Sequence, residues 1–244
     1  MSSGAAVAAR RRSRVSRRRT ITRAAVLTLA ALFLSSGLWA HGVADQDELF
    51  LTNNEGLAVG PYMYLGAKHM VTGYDHLAFL AGVIFFLYRF RDVALYVTLF
   101  AVGHSVTLLV GVLGGIHANP FLIDAIVGLS VAYKAFENLG GFRALGVSID
   151  TRAAVLVFGL FHGFGLATKL QPVEISGSGL VGNIVSFNVG VELGQFAALA
   201  IILLSFNLWR ASGRFQSHGY AANAVLMTVG FLLVAYQLTG YFMS

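Results

Sequence analysis

The chain has 244 residues, of which 57% are hydrophobic and only 11% charged, about half the charged share of a water-soluble domain. Its formal charge of +6 is concentrated at the start: Arg10, Arg11, Arg12, Arg14, Arg17, Arg18, Arg19 and Arg23 precede every acidic residue, so the basic balance does not argue for nucleic acid. There is no cysteine, which excludes disulfides, thiolate metal ligands and a cysteine nucleophile.

Residues 1–40 read as a signal peptide. The arginine-rich stretch is followed by an apolar run from Ala24 to Leu34 and a small-residue junction ending Gly37-Leu38-Trp39-Ala40, the order in which export signals are built. Cleavage after Ala40 leaves residues 41–56 as a short acidic lead outside the membrane, with His41 at its start. A free amine and an imidazole on one residue make His41 a candidate chelate, although any small-residue junction would serve cleavage equally well.

The remainder, 57–244, is expected to be one all-α, polytopic membrane helical bundle. A short helix over 57–70 is expected to pack at the outer surface. Six apolar segments follow near 73–90, 94–114, 119–139, 153–171, 180–208 and 219–242, each close to the ~20 residues that cross the hydrocarbon core. Arg89 and Arg91, Arg143 and Arg152, and Arg210 and Arg214 fall in the first, third and fifth connections. By the positive-inside rule those connections face the cytoplasm, which puts the mature N-terminus in the periplasm and the protein in a bacterial inner membrane. Glycines spaced by four (Gly111 and Gly115, Gly159 and Gly163, Gly190 and Gly194) read as faces where helices approach closely.

Polar residues inside these spans carry the functional signal. They are Asp75 and His76 in the first span, His104, Ser105 and Thr107 in the second, Asp124, Lys134 and Glu137 in the third. His162 follows in the fourth, and Asn188, Glu192 and Gln195 in the fifth. An ionised side chain at mid-bilayer costs about 3 kcal/mol on insertion scales, so a set of this size needs pairing, a cation or a wet cavity. Lys134 and Glu137, three apart, are expected to neutralise each other. Asp124 lies near an end, where solvent alone would satisfy it. His69 and His76 share a face if the helix runs through Gly73, and Asn188, Glu192 and Gln195 form one polar stripe at i, i+4 and i+7. Imidazole nitrogen with carboxylate oxygen and no sulfur suits a borderline divalent ion such as nickel, cobalt or zinc. The candidate metal residues are therefore His69, Asp75, His76, His104, His162 and Glu192, supported by Ser105, Asp124, Asn188 and Gln195. For each histidine alone, an interhelical hydrogen bond explains it as well. Among other functions, three histidines with an acid and Ser105 would also suit an intramembrane zinc-dependent hydrolase, and a non-transporting accessory protein needs these groups only to hold helices together.

The run His69-Met70-Val71-Thr72-Gly73-Tyr74-Asp75-His76 resembles the His-Pro-x-x-Gly-x-Asp-His signature of the HupE/UreJ hydrogenase and urease accessory membrane proteins. Met70 stands in place of the proline, as in a second branch of that family. Gly103-His104-Ser105-x-Thr107, Glu137-Asn138, His162-Gly163-Phe164-Gly165 and Phe187-Asn188-x-Gly190-Val191-Glu192-x-Gly194-Gln195 also look like its later spans. The resemblance implies six or seven helices and a permease that moves nickel or cobalt across the inner membrane for metalloenzyme maturation. It assigns ion recognition to His69, Asp75 and His76, with maturation proteins as partners.

Overall fold

Hydrophobic runs of twenty or more residues with few charges have to satisfy their backbone internally, and the helix is the only local way to do so. The computed structural model describes residues 56–170 and 179–244. The expected signal peptide, His41 and the acidic lead up to residue 55 lie outside the described residues. Within them every regular element is helical: α1 Val59–Thr72, α2 Tyr74–Ile84, α3 Phe90–Leu113, α4 Pro120–Asn138, α5 Gly141–Ala144, α6 Thr151–Leu170, α7 Leu180–Ala211 and α8 Phe215–Met243. Helices α3, α6, α7 and α8 are long and apolar enough to cross a membrane, and α2 is a shorter apolar helix. Their outward faces stay apolar: on α7 alone Val181, Val185, Val189, Leu193 and Phe196 are exposed, as lipid-facing residues at helical spacing would be. The protein is an all-α, multi-pass membrane bundle.

Three close pairs build it. Helices α1 and α7 run side by side in the same direction, with Gly190 against Met63 and Gly194 against Ala67; α3 and α6 do the same, with Gly103 against Leu160 and Gly111 against Ala167. Helices α4 and α8 run in opposite directions, Gly128 meeting Leu233 and Gly240 meeting Phe121. At Gly103, Gly190 and Gly194 the neighbour is backbone and at Gly111 and Gly240 a side chain, each too close for a Cβ to fit without a shift. Gly115 is the exception among the spaced glycines: it has open space around it and a φ of +57°, so it serves a turn.

The first expected span is corrected by the structure. Of residues 73–90 the first helix is only α2, Tyr74–Ile84, and the short helix expected before it, α1, packs along α7 with Tyr62, Leu65, Gly66 and Met70 buried. Gly73, with φ −74° and ψ 98°, interrupts the path between α1 and α2, so the two are separate helices. A helix of 11 residues such as α2 leaves a large share of its end carbonyls without partners. At the lower end of the bundle, where α2 stops, Asn138 Nδ2 donates to Gly82 O at 2.9 Å and Arg210 Nη2 donates to Phe85 O at 2.7 Å. At the opposite, upper end, α4 begins on Asn119, whose side chain accepts from Phe121 N and Leu122 N, with Pro120 in the first turn, the sequence chemistry of a helix start.

Candidate metal centre

The break at Gly73 places α2 at the centre with Asp75 and His76 in its first turn. His76 N and Nδ1 both donate to Asp75 Oδ1, at 2.8 and 2.9 Å. A carboxylate oxygen accepts, so Nδ1 carries a proton, and Nε2 is the nitrogen left to offer a lone pair. His162 is held the same way: Nδ1 donates to Phe158 O at 2.7 Å, which again leaves Nε2 as the free base. Fixing one ring nitrogen so that the other faces a metal is how ligating histidines are oriented.

Around His76 the other imidazoles close in. Ring centroids lie 4.8 Å away for His162, 5.2 Å for His69 and 5.6 Å for His104. Four helices thus supply four imidazoles, and His76, His104 and His162 are buried. Nε2 of all four, and Nδ1 of His104, are buried without a hydrogen-bond partner. Buried polar atoms left unpaired are rare because each costs about 1–3 kcal/mol; one nitrogen of His104 carries a proton, and one nitrogen on each of the four rings is left to suit a ligand that accepts lone pairs. The rings meet edge to face; among the described residues no three His, Asp or Glu side chains close on one point as a finished coordination shell.

Beneath the histidines lies an aromatic floor. Phe100 is 5.0 Å and Phe79 5.2 Å from the His162 ring, and Phe79 and Phe100 are 5.4 Å apart. Thr107 Oγ1 donates to Leu160 O at 2.6 Å, tying α3 to α6 beside His104 and Gly163, where a Cβ would strike the His104 carbonyl. The histidines are therefore held by packing that glycine and threonine make possible.

Of the sequence candidates, His69, Asp75, His76, His104 and His162 come together. Glu192 does not: it is exposed on α7. Steps of i+4 rotate a helical face by about 40°, and i+7 returns it to within about 20°, so Asn188 and Gln195 stay buried while Glu192 turns outward. Gln195 Nε2 donates to Val97 O at 3.3 Å. Ser105 is half-buried beside His104. Asp124 is buried, not solvated, and pairs with Lys169 at 2.8 Å. Lys134 and Glu137 do neutralise each other, at 2.6 Å.

Sequence reading missed two features. Lys169 carried no functional reading, yet it follows His162 by seven residues, the spacing that keeps a helical face. Phe79 and Phe100 read as ordinary core, since nothing in an aromatic residue at helical spacing marks it as the floor of a site.

No curated protein and no solved structure gives a match to this chain. The family model described as HupE / UreJ protein matches residues 45–244, a stretch that includes every residue of the histidine cluster and all the described helices. With that coverage, the chain belongs to the HupE / UreJ protein family.

Proposed function

We propose that the chain is an inner-membrane permease for a divalent transition-metal ion, nickel or cobalt, that supplies metalloenzyme maturation. The observation that carries this reading is the convergence of unpartnered imidazole nitrogens from four helices on His76. Nitrogen donors with the carboxylate of Asp75 suit borderline divalent ions. Family membership is in keeping with metal handling. The ion arrives from the upper end, which the positive-inside rule makes periplasmic, because Arg89, Arg91, Arg143, Arg152, Arg210 and Arg214 all lie at the lower end. It exchanges water for imidazole at the cluster and leaves past Phe79 and Phe100, whose rings have to separate for it to pass. His76 and His162 present lone pairs, Asp75 orients His76 and offsets the cation's charge, and His69 and His104 are the remaining nitrogen donors.

Uptake of radioactive nickel by cells expressing the protein tests the reading. The His76→Ala variant, produced at wild-type level in the membrane, is expected to fall to the background of cells without the protein. Uptake unchanged in that variant overturns the proposal. A dialysis-resistant, stoichiometric zinc in the purified protein would point instead to an intramembrane hydrolase.

A further inference from the structure

Asn188 is buried on α7, at 6% exposure, and neither its Oδ1 nor its Nδ2 has a hydrogen-bond partner. A carboxamide withdrawn from water in this way costs several kcal/mol unless something else engages it. Two registers locate it. Gln195 lies seven residues further along α7 on nearly the same azimuth, and its amide reaches Val97 O on α3. His104 lies seven residues beyond Val97 on α3, again on one face. Helix α3 runs opposite to α2, since His76 meets His104 while Phe79 meets Phe100. Helix α1 leads into α2 through Gly73 and runs parallel to α7, so α3 and α7 are antiparallel. One heptad upward from the Gln195–Val97 contact therefore sets Asn188 opposite His104. The second register agrees: the ring of Phe187, its neighbour, is 6.2 Å from the ring of His69.

From this juxtaposition we infer that Asn188 supplies an oxygen donor from α7 to the metal ion, on the side of the cluster that α1, α2, α3 and α6 leave open. Asn188 and His104 each carry donor and acceptor capacity, yet they do not bond to one another, as expected when a small third group belongs between them. The inference rests on the permease reading and adds what selects the ion. A carboxamide oxygen is hard and neutral. It raises the ligand number without adding charge, which favours nickel and cobalt over zinc, whose preference is four ligands. It also leaves the ion releasable, because no second carboxylate holds it.

Cobalt binding to the detergent-purified full-length protein tests this independently of transport, since the visible absorption of Co²⁺ grows stronger as its coordination number falls. In N188L, cobalt affinity is expected to drop about tenfold or more, the absorption band to intensify, and zinc affinity to hold. N188D keeps an oxygen at the position and is expected to bind cobalt at least as tightly while lowering both KM and kcat of uptake. Val189→Leu, one position along α7 and facing outward at 43% exposure, is expected to leave the spectrum unaltered. If N188L and N188D both match the wild type in affinity and spectrum while His76→Ala loses cobalt, the Asn188 assignment falls and the permease site stands. If the wild-type protein binds no cobalt or nickel, both fall.

Discussion

Two histidines in this bundle have one ring nitrogen committed and the other unpartnered. His76 and His162 each spend Nδ1 on a fixed acceptor, Asp75 and the Phe158 carbonyl, which directs Nε2 inward. Asp75 is thus first of all the partner of His76, and in the proposed permease it is also the charge that offsets the ion's. Replacing it by asparagine keeps an oxygen acceptor and removes the charge. The expected result is a loss of about 10- to 100-fold in metal affinity, measured by nickel titration of the purified protein, with folding retained. Asp124 makes a different residue-scale case. Its carboxylate is buried against Lys169 and accepts from Gln237 at 3.4 Å, so Lys169→Met strands a buried charge. Breaking such a pair costs about 3–5 kcal/mol, and the thermal midpoint in detergent is expected to fall accordingly. Changing both residues together, as Asp124→Asn with Lys169→Met, is expected to recover most of that loss. No recovery would mean that the pair is not what holds α4 to α6.

At the scale of elements, the glycines decide which helices touch. Gly163 sits where a side chain would meet the His104 carbonyl and Thr107 Oγ1, and Gly190 where one would meet the Met63 carbonyl. In lipid the association of helices depends on such packing, because burying apolar surface there gains little. Gly163→Leu is expected to separate α3 from α6, lower the thermal midpoint and abolish metal binding, since His104 and His162 ride on those two helices. Gly115→Ala, in open space, is expected to cost far less and only through its positive φ. Spacing in the sequence marked these glycines as packing residues, but not which partner each one meets. It also could not show that α1 packs one face against α7, because 14 residues with Lys68 and His69 among them look too polar to sit there.

For the whole molecule, orientation and site are separate questions. The absence of cysteine makes the first directly measurable with single introduced thiols. His117, exposed in the upper connection, and Ser212, exposed at the lower end, lie on opposite sides of the bundle. His117→Cys is expected to react with a membrane-impermeant thiol reagent added to cells with a permeable outer membrane, and Ser212→Cys only after the inner membrane is opened. The reverse pattern would invert the proposed route of the ion.

The sequence by itself determined the material of this protein: helices, an apolar exterior and a small set of polar residues too costly to leave in lipid alone. Those follow from local rules, backbone hydrogen bonding and side-chain periodicity, which need no knowledge of the partner helix. Among that set were His69, Asp75, His76, His104 and His162, which the fold brings together. What only the tertiary structure decided was which side of each helix faces which neighbour. The rotation that keeps Asn188 and Gln195 inside and turns Glu192 out is a matter of about 40°, smaller than any pattern of spacing resolves. The pairing of Asp124 with Lys169 joins residues 45 positions apart on two helices, and the aromatic floor under the histidines draws Phe79 and Phe100 from two more. Such contacts are fixed by how close glycine lets the backbones come, and that closeness exists only once the helices have packed.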